Sequence, residues 1–371
     1  MHEIVSQSEK RRARMVMCAL LFACGLLLIV LFLFFTKERI SPTFFIATDS
    51  VAQSGAPITL YNAETGEMKK LEFLGGGCDG VSLNRKTKQI YLSCRVGKDT
   101  FPVYNPVRGS VSTSTIQMLQ QQTFRSPLSC HSFGKCFYGF GYIDASDDAR
   151  GRIVVVENGL PIKTIFVPHA DSHLIPVRMK IVDDVLYVLL RGPTGSPGSI
   201  AMYNIKKEDF EQTTIMLPVD AWDFAVDDKH IAVTVFRDES GVDVMIFDKG
   251  GKLQNTIQLN GGKKNSFNVF GVYIENGSLF VSGFSGVSKY NLKNLEKTFE
   301  WKTDNFLYEL AGGGGDLIVV SPVDNFVYVF DQKDLSIKKK LPIYAGSGSV
   351  FYIESYFVHG LFLRIAGFHI F

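Results

Sequence analysis

Charge of one sign is what this 371-residue sequence most lacks: 39 Lys and Arg face 37 Asp and Glu, a formal net charge of +2. No strong basic excess is available to neutralise phosphates, so nucleic acid is not expected as a partner. Six cysteines are too few for a disulfide-dense miniprotein scaffold. Trp222 and Trp301 are the only tryptophans. No Gly-x-Ser-x-Gly elbow and no His-Glu-x-x-His pair is present, so no hydrolase or metalloprotease signature is carried. No cofactor is called for by any motif. Long 3.6-residue apolar patterns are missing after residue 40, so helices should be few there. With 46% apolar and 20% charged residues, the chain is not a disordered tail. The 34 glycines and 30 phenylalanines suit many short strands and turns.

Residues 15–35 read MVMCALLFACGLLLIVLFLFF, with no charge. A helix of that length spans about 31 Å, enough for the hydrocarbon core of a bilayer. Such a run satisfies its backbone in lipid only as a helix. Lys10, Arg11, Arg12 and Arg14 precede it; Lys37 and Arg39 follow, offset by Glu38. The positive-inside rule then places residues 1–14 in the cytoplasm and the chain beyond residue 40 outside it. The expectation is a retained single-pass signal anchor in contact with lipid. A cleaved signal peptide would have a shorter apolar stretch and a small-x-small site, which Phe34-Phe35-Thr36-Lys37 does not offer. Leu21-Phe22-Ala23-Cys24 is only a loose lipobox, because apolar residues continue after Cys24.

Beyond a linker over residues 36–43, the chain repeats itself. A short, mostly apolar run ending in Asn or Asp recurs at Thr59-Leu60-Tyr61-Asn62, Val103-Tyr104-Asn105, Val155-Val156-Glu157-Asn158, Met202-Tyr203-Asn204, Ile246-Phe247-Asp248, Lys289-Tyr290-Asn291 and Val329-Phe330-Asp331. Successive copies lie 43, 53, 46, 44, 43 and 40 residues apart, the 53 including the insertion at residues 144–151. Each copy is preceded by a β-rich run and followed by a polar turn and another alternating strand. Four strands per repeat of this length is the arithmetic of a β-propeller blade. A single blade is apolar on both faces, so blades must stack in a closed ring. The first repeat has three strands, and Ser349 to Glu354 supply a candidate fourth from the far end of the chain. The expected fold over residues 44–371 is therefore an all-β propeller of seven blades. Tyr356 to Phe371 leave eight as the alternative.

The stretches Leu60-Tyr61-Asn62-Ala63-Glu64-Thr65-Gly66 and Tyr290-Asn291-Leu292-Lys293-Asn294-Leu295 resemble the strand-turn-strand core of the YVTN and quinoprotein-like propellers. The resemblance covers roughly residues 44–371 and implies an architecture rather than an activity. The sequence departs from quinone-binding repeats in having so few tryptophans. It also has no WD dipeptides in register and no sialidase boxes.

Four cysteines lie beyond the apolar run. Cys78 and Cys94 bracket a turn at Arg85-Lys86-Thr87, and Cys130 and Cys136 flank His131 to Lys135. The ends of each hairpin should meet, which predicts disulfides 78–94 and 130–136. Free buried cysteines are the alternative, and no Cys-x2-Cys knuckle suggests zinc. Two weaker candidate sites remain. His169, Asp171 and His173 alternate in a way that would turn three metal-capable side chains one way in an extended loop. Asp144, Ser146 and Asp148 have a calcium-loop rhythm, without the usual glycine or closing glutamate. Gly75-Gly76-Gly77 and Gly312 to Gly315 read as places where strands crowd near an axis, not as phosphate loops. Asn276-Gly277-Ser278 fits both a glycosylation sequon and a two-residue hairpin turn.

No catalytic residues are assigned. The expected function is a membrane-anchored, extracytoplasmic interaction scaffold that holds a partner protein on one face of the ring. A propeller enzyme of lactonase or dehydrogenase type, or a binder of a small ligand or glycan, is the alternative.

Overall fold

A computed structural model of the chain describes residues 12, 14–27, 37–40, 42–48, 58–71, 78–94, 100–115, 127–140, 151–167, 174–192, 197–211, 213–218, 220–237, 241–260, 271–283, 286–343, 347–354 and 356–359. They fall into two compact units, Pro42–Glu354 and the two chain ends outside it.

In the end unit, β1 (Lys37–Ile40) pairs antiparallel with β31 (Tyr356–His359). The segment expected to be a linker is therefore partly a strand, and Tyr356–His359 begins no eighth blade. Four residues at each end gave too short an alternation to announce that pairing. The expected transmembrane helix over residues 15–35 is not seen. Residues 14–27 are helical and exposed along their length apart from Gly25, while residues 28–36 lie outside the described residues. No helix among the described residues is long and apolar enough to cross a membrane.

The larger unit is all β. Five blades each take four consecutive strands: β5 (Cys78–Asn84), β6 (Gln89–Cys94), β7 (Thr100–Asn105), β8 (Ser110–Thr115); β9 (Leu128–Cys130), β10 (Lys135–Phe140), β11 (Arg152–Glu157), β12 (Leu160–Phe166); β18 (Ala221–Val226), β19 (His230–Arg237), β20 (Gly241–Asp248), β21 (Leu253–Asn260); β22 (Val272–Glu275), β23 (Ser278–Gly283), β24 (Gly286–Asn291), β25 (Lys297–Lys302); and β26 (Leu310–Gly313), β27 (Asp316–Ser321), β28 (Phe326–Asp331), β29 (Ile337–Pro342). A sixth contiguous blade, β13 (Ile175–Val182), β14 (Val185–Arg191) and β15 (Ser199–Asn204), has its outer strand split into β16 (Asp209–Phe210) and β17 (Ile215–Met216). One further four-stranded sheet is composite. There β30 (Ser347–Ile353) pairs with β2 (Thr43–Thr48), followed by β3 (Ile58–Asn62) and β4 (Met68–Leu71). This is the closure that the short first repeat and residues 349–354 led one to expect. The first strands of the sheets touch in a cycle: β5 on β9, β9 on β13, then β18, β22, β26, β30 and back to β5. Six contiguous blades and the composite sheet thus stand around one axis.

Burial of both faces explains why the central strands read as unbroken apolar runs. In Val185–Arg191, Tyr187 and Leu189 pack with Phe224, Ile231 and Val233 of the following blade. Leu186, Val188 and Leu190 of the same strand pack with Phe137, Ile153 and Val155 of the preceding one. The outer strands alternate or are polar; Ile337 to Lys340 leave lysines at the sheet edge, which discourages pairing with other chains.

The repeated Asn or Asp has one job in six of the copies: it caps the turn after the third strand. Asn62 Oδ1 accepts from the N–H groups of Glu64 and Thr65 at 2.9 and 3.0 Å. Asn105 does the same for Val107 and Arg108, and Asn204 for Lys206 and Lys207. Asp248, Asn291 and Asp331 accept from Lys252, Lys293 and Lys333. A side-chain oxygen that takes a turn N–H replaces a lost ladder bond. In the remaining copy Asn158 itself adopts φ 52° within the turn. Lysines then seal neighbouring turns: Lys339 Nζ donates to the carbonyl of Ala63 at 2.8 Å across the closure, and Lys289 to that of Gln332 at 2.8 Å.

Both expected disulfides are present, Cys78–Cys94 and Cys130–Cys136. Each joins directly opposed register partners of an inner hairpin. Their sequence separations of 16 and 6 limit the unfolded chain. In the chain-entropy account that constraint is worth about 3 and about 2 kcal/mol. Replacing Cys78 and Cys94 together by serine should lower Tm by about 5 °C or more in calorimetry; an unchanged Tm would contradict the bridge.

Candidate functional site

The axis of the ring gathers charge, and β13 brings two basic residues to it. Arg178 and Lys180 sit two residues apart on this inner strand, so both turn toward one side of it. Arg178 Nη2 donates to the Glu309 carboxylate, just before β26, and its Nε lies 3.4 Å from Asp223 Oδ1 on β18. Side-chain exposure of the three is 13%, 12% and 9%, so the group is largely withdrawn from water. Around the ring, β18 and β22 stand between β13 and β26, so the contact with Glu309 passes across the axis.

Neighbouring polar links continue this set from blade to blade. Asp223 Oδ2 accepts from the N–H of Val272 at 3.1 Å, linking β18 to β22. Ser282 Oγ donates to the carbonyl of Tyr308 at 2.8 Å, linking the β22–β25 blade to the next. Arg191 grips Asp220 with two bonds of 2.7 Å and lies 4.6 Å from the centre of the Trp222 ring. A two-pronged guanidinium contact fixes orientation as well as charge. Trp222-Asp223 is a WD dipeptide in sequence, yet it begins an inner strand.

Further along the axis, Lys180 Nζ lies 5.7 Å from the centre of the Tyr273 ring. Desolvation lowers the pKa of this ammonium, while Asp223, Asp227 and Glu275 pull it back up and Lys249 adds to the lowering. Burial raises the Asp223 pKa, with Arg178 opposing. Burial likewise pushes the Tyr352 phenol up to about 12, helped by Asp316, Glu354, Glu275 and Glu64. Tyrosines crowd this end: a Cβ on Gly312 would come 2.7 Å from Tyr273, and one on Gly313 would overlap Tyr352. Gly314 and Gly315, at φ 62° and 86°, form the hairpin turn itself. The glycine run therefore serves both purposes, close approach and turn.

The sequence-predicted ligands His169, Asp171, His173, Asp144, Ser146 and Asp148 lie outside the described residues. Among the described residues no group of three or more His, Cys, Asp and Glu side chains could hold a metal ion. Arg178, Asp223 and Glu309 were not singled out from sequence. The one local signal is the alternation of Arg178 and Lys180 in an otherwise apolar inner strand; nothing local pairs Arg178 with Asp223 or Glu309.

Chemically, the Arg178 group is already compensated: one guanidinium answers two carboxylates, with Lys180 nearby. A buried pair of this kind contributes little net stability, but breaking it is costly.

No protein-family model matches the chain, and no curated protein matches it. Solved structures do. The chain is similar to the WD40 β-propeller domain of Doa1, at 15% identity over 79% of this chain and 90% of that one, with a TM-score of 0.55. It is similar to the computationally designed Ika8 protein, at 10% identity over 84% and 90% of the two chains, TM-score 0.54. A chain of the mitotic checkpoint complex also matches, at 14% identity over 71% and 77%, TM-score 0.53. At these identities the likeness concerns the fold alone: the protein is a β-propeller.

Two predictions follow from the axis. Arg178→Met leaves two carboxylates buried and unanswered, and should cost about 3–5 kcal/mol in denaturant unfolding. The triple change Arg178→Met, Asp223→Leu, Glu309→Leu should cost much less. Lys180→Met should remove a pH dependence. A lysine whose folded pKa is lowered penalises folding while charged, and the penalty lifts as pH rises through the folded value toward 10.5. The native chain should therefore gain stability relative to Lys180→Met between neutral pH and that point. A flat difference would contradict the desolvated ammonium.

Proposed function

We propose that the chain is a membrane-anchored, extracytoplasmic β-propeller that acts as a protein-interaction scaffold. The observation that carries the scaffold reading is the self-compensated axis. Arg178, Asp223 and Glu309 satisfy one another across the ring, which leaves the outer surface as the place for recognition. On that surface, Leu160, Ile162 and Phe166 are exposed along β12, the outer strand of one blade. Exposed apolar side chains gathered on one element favour contact with a partner. WD40 propellers such as that of Doa1 share the fold.

The location rests on sequence. The apolar run 15–35 with its basic flank orients an anchor, and two cysteine bridges suit an oxidising compartment. The kinship with YVTN and quinoprotein-like propellers belongs to the same reading. A propeller enzyme is the second reading, because three ionisable groups do converge on the axis; their mutual pairing counts against it.

The test uses the full chain. It should resist alkaline extraction from membranes, and deletion of residues 15–35 should release it. In mild detergent a partner should co-purify in fixed stoichiometry and be lost with Leu160→Asp and Phe166→Asp at unchanged Tm. Turnover of a small molecule by the purified chain, with no stoichiometric partner, would overturn the scaffold.

A further inference from the structure

The hairpin turn between β22 and β23 is built from the tripeptide Asn276-Gly277-Ser278, and it is the chain's one Asn-x-Ser/Thr sequence. Asn276 and Gly277 take φ 51° and 72°, the paired left-handed conformations of a tight two-residue turn. Asn276 is exposed, and a Cβ added at Gly277 would meet nothing within 4 Å, so the tip projects into open space.

Five turn asparagines elsewhere are engaged, and Asn158 and Asn325, which share the left-handed conformation, have no Ser or Thr two residues on. Asn62, Asn84, Asn105, Asn204 and Asn291 each spend the side-chain oxygen on N–H groups of their own turns. Asn84 also donates its amide N–H to Gly134 at 3.0 Å. The side chain of Asn276 makes no hydrogen bond among the described residues, and neither does the hydroxyl of Ser278. Here the turn is held by backbone conformation and by the Glu275–Ser278 register pair. The amide is therefore free to be modified without cost to the fold.

We propose that Asn276 is an acceptor for an N-linked glycan, an inference that rests on the extracytoplasmic location above. In the transfer, Asn276 Nδ2 forms a bond to C1 of the first sugar. The bond from C1 to the phosphate oxygen of a lipid-linked diphosphate oligosaccharide breaks. The lipid diphosphate leaves, and the amide gives up one proton. The glycan would stand at the end of β22, beside Glu275.

The test is translation of the full chain into microsomes competent for glycosylation. One upward mobility step is expected, reversed by a peptide amidase that removes N-glycans. Ser278→Ala should abolish it while keeping the turn geometry. Asn276→Asp, which tolerates the left-handed conformation, should abolish it independently. A control sequon is made by Leu160→Thr, which acts on Asn158 in another exposed Asn-Gly turn of left-handed conformation. A shift at the control without one in the native chain overturns the Asn276 site and leaves the location standing. No shift in either overturns the location and the glycan with it. A shift that persists in Ser278→Ala also overturns the site.

Discussion

Closure of the ring is the constraint on which the rest depends. Each blade buries one face against the blade before it and the other against the blade after it, as Val185–Arg191 shows residue by residue. An open row would leave two apolar sheet faces in water. The composite sheet prevents that: Thr43 to Ile46 pair in register with Ile353 to Val350, joining segments about 300 residues apart. Bringing such distant ends together carries a loop entropy that grows only slowly with length, so the apolar burial can offset it. It also makes long-range strand pairing a late and slow part of folding. Around this seam the chain adds polar fastenings: the Tyr61 hydroxyl donates to the carbonyl of Pro342, and Lys339 reaches the turn of the composite sheet.

Closure also dictates what the axis can hold. Inner strands arrive from every blade, so side chains that point inward are forced together whatever their charge. Glycines admit two tyrosine rings. Arg178 bridges carboxylates from two other blades. Removed from water, those charges must be answered locally, and they are answered by each other. An axis occupied in this way is packed by charges that answer one another. The fold by itself assigns no chemistry.

How far the sequence disclosed this depends on whether the signal was local. The Asn and Asp of the repeat are legible because each caps a turn two or three residues away. The disulfides are legible because Cys78 and Cys94, like Cys130 and Cys136, face each other across single hairpins. Asn276-Gly277 announces its own turn. The charged group was not legible, because Arg178, Asp223 and Glu309 are more than 40 residues apart from one another and meet only once the ring exists. The pairing of Lys37–Ile40 with Tyr356–His359 escaped for the same reason: two four-residue strands at opposite ends of the chain carry no periodicity of their own. The candidate ligands at residues 144–148 and 169–173 lie outside the described residues.

The most direct measurement of closure is a disulfide placed across the seam. Phe45 and Phe351 are register partners in the composite sheet, whereas Phe45 and Val350 are offset by one residue. An offset of one turns a side chain to the other face of a sheet. The doubly substituted chain Phe45→Cys, Phe351→Cys should form the bridge spontaneously, as read by peptide mapping, and should raise Tm. The offset pair Phe45→Cys, Val350→Cys should stay reduced. A Phe45→Cys, Phe351→Cys chain that remains reduced under oxidising conditions, or an offset pair that bridges equally well, would contradict a ring closed by the two ends of the chain.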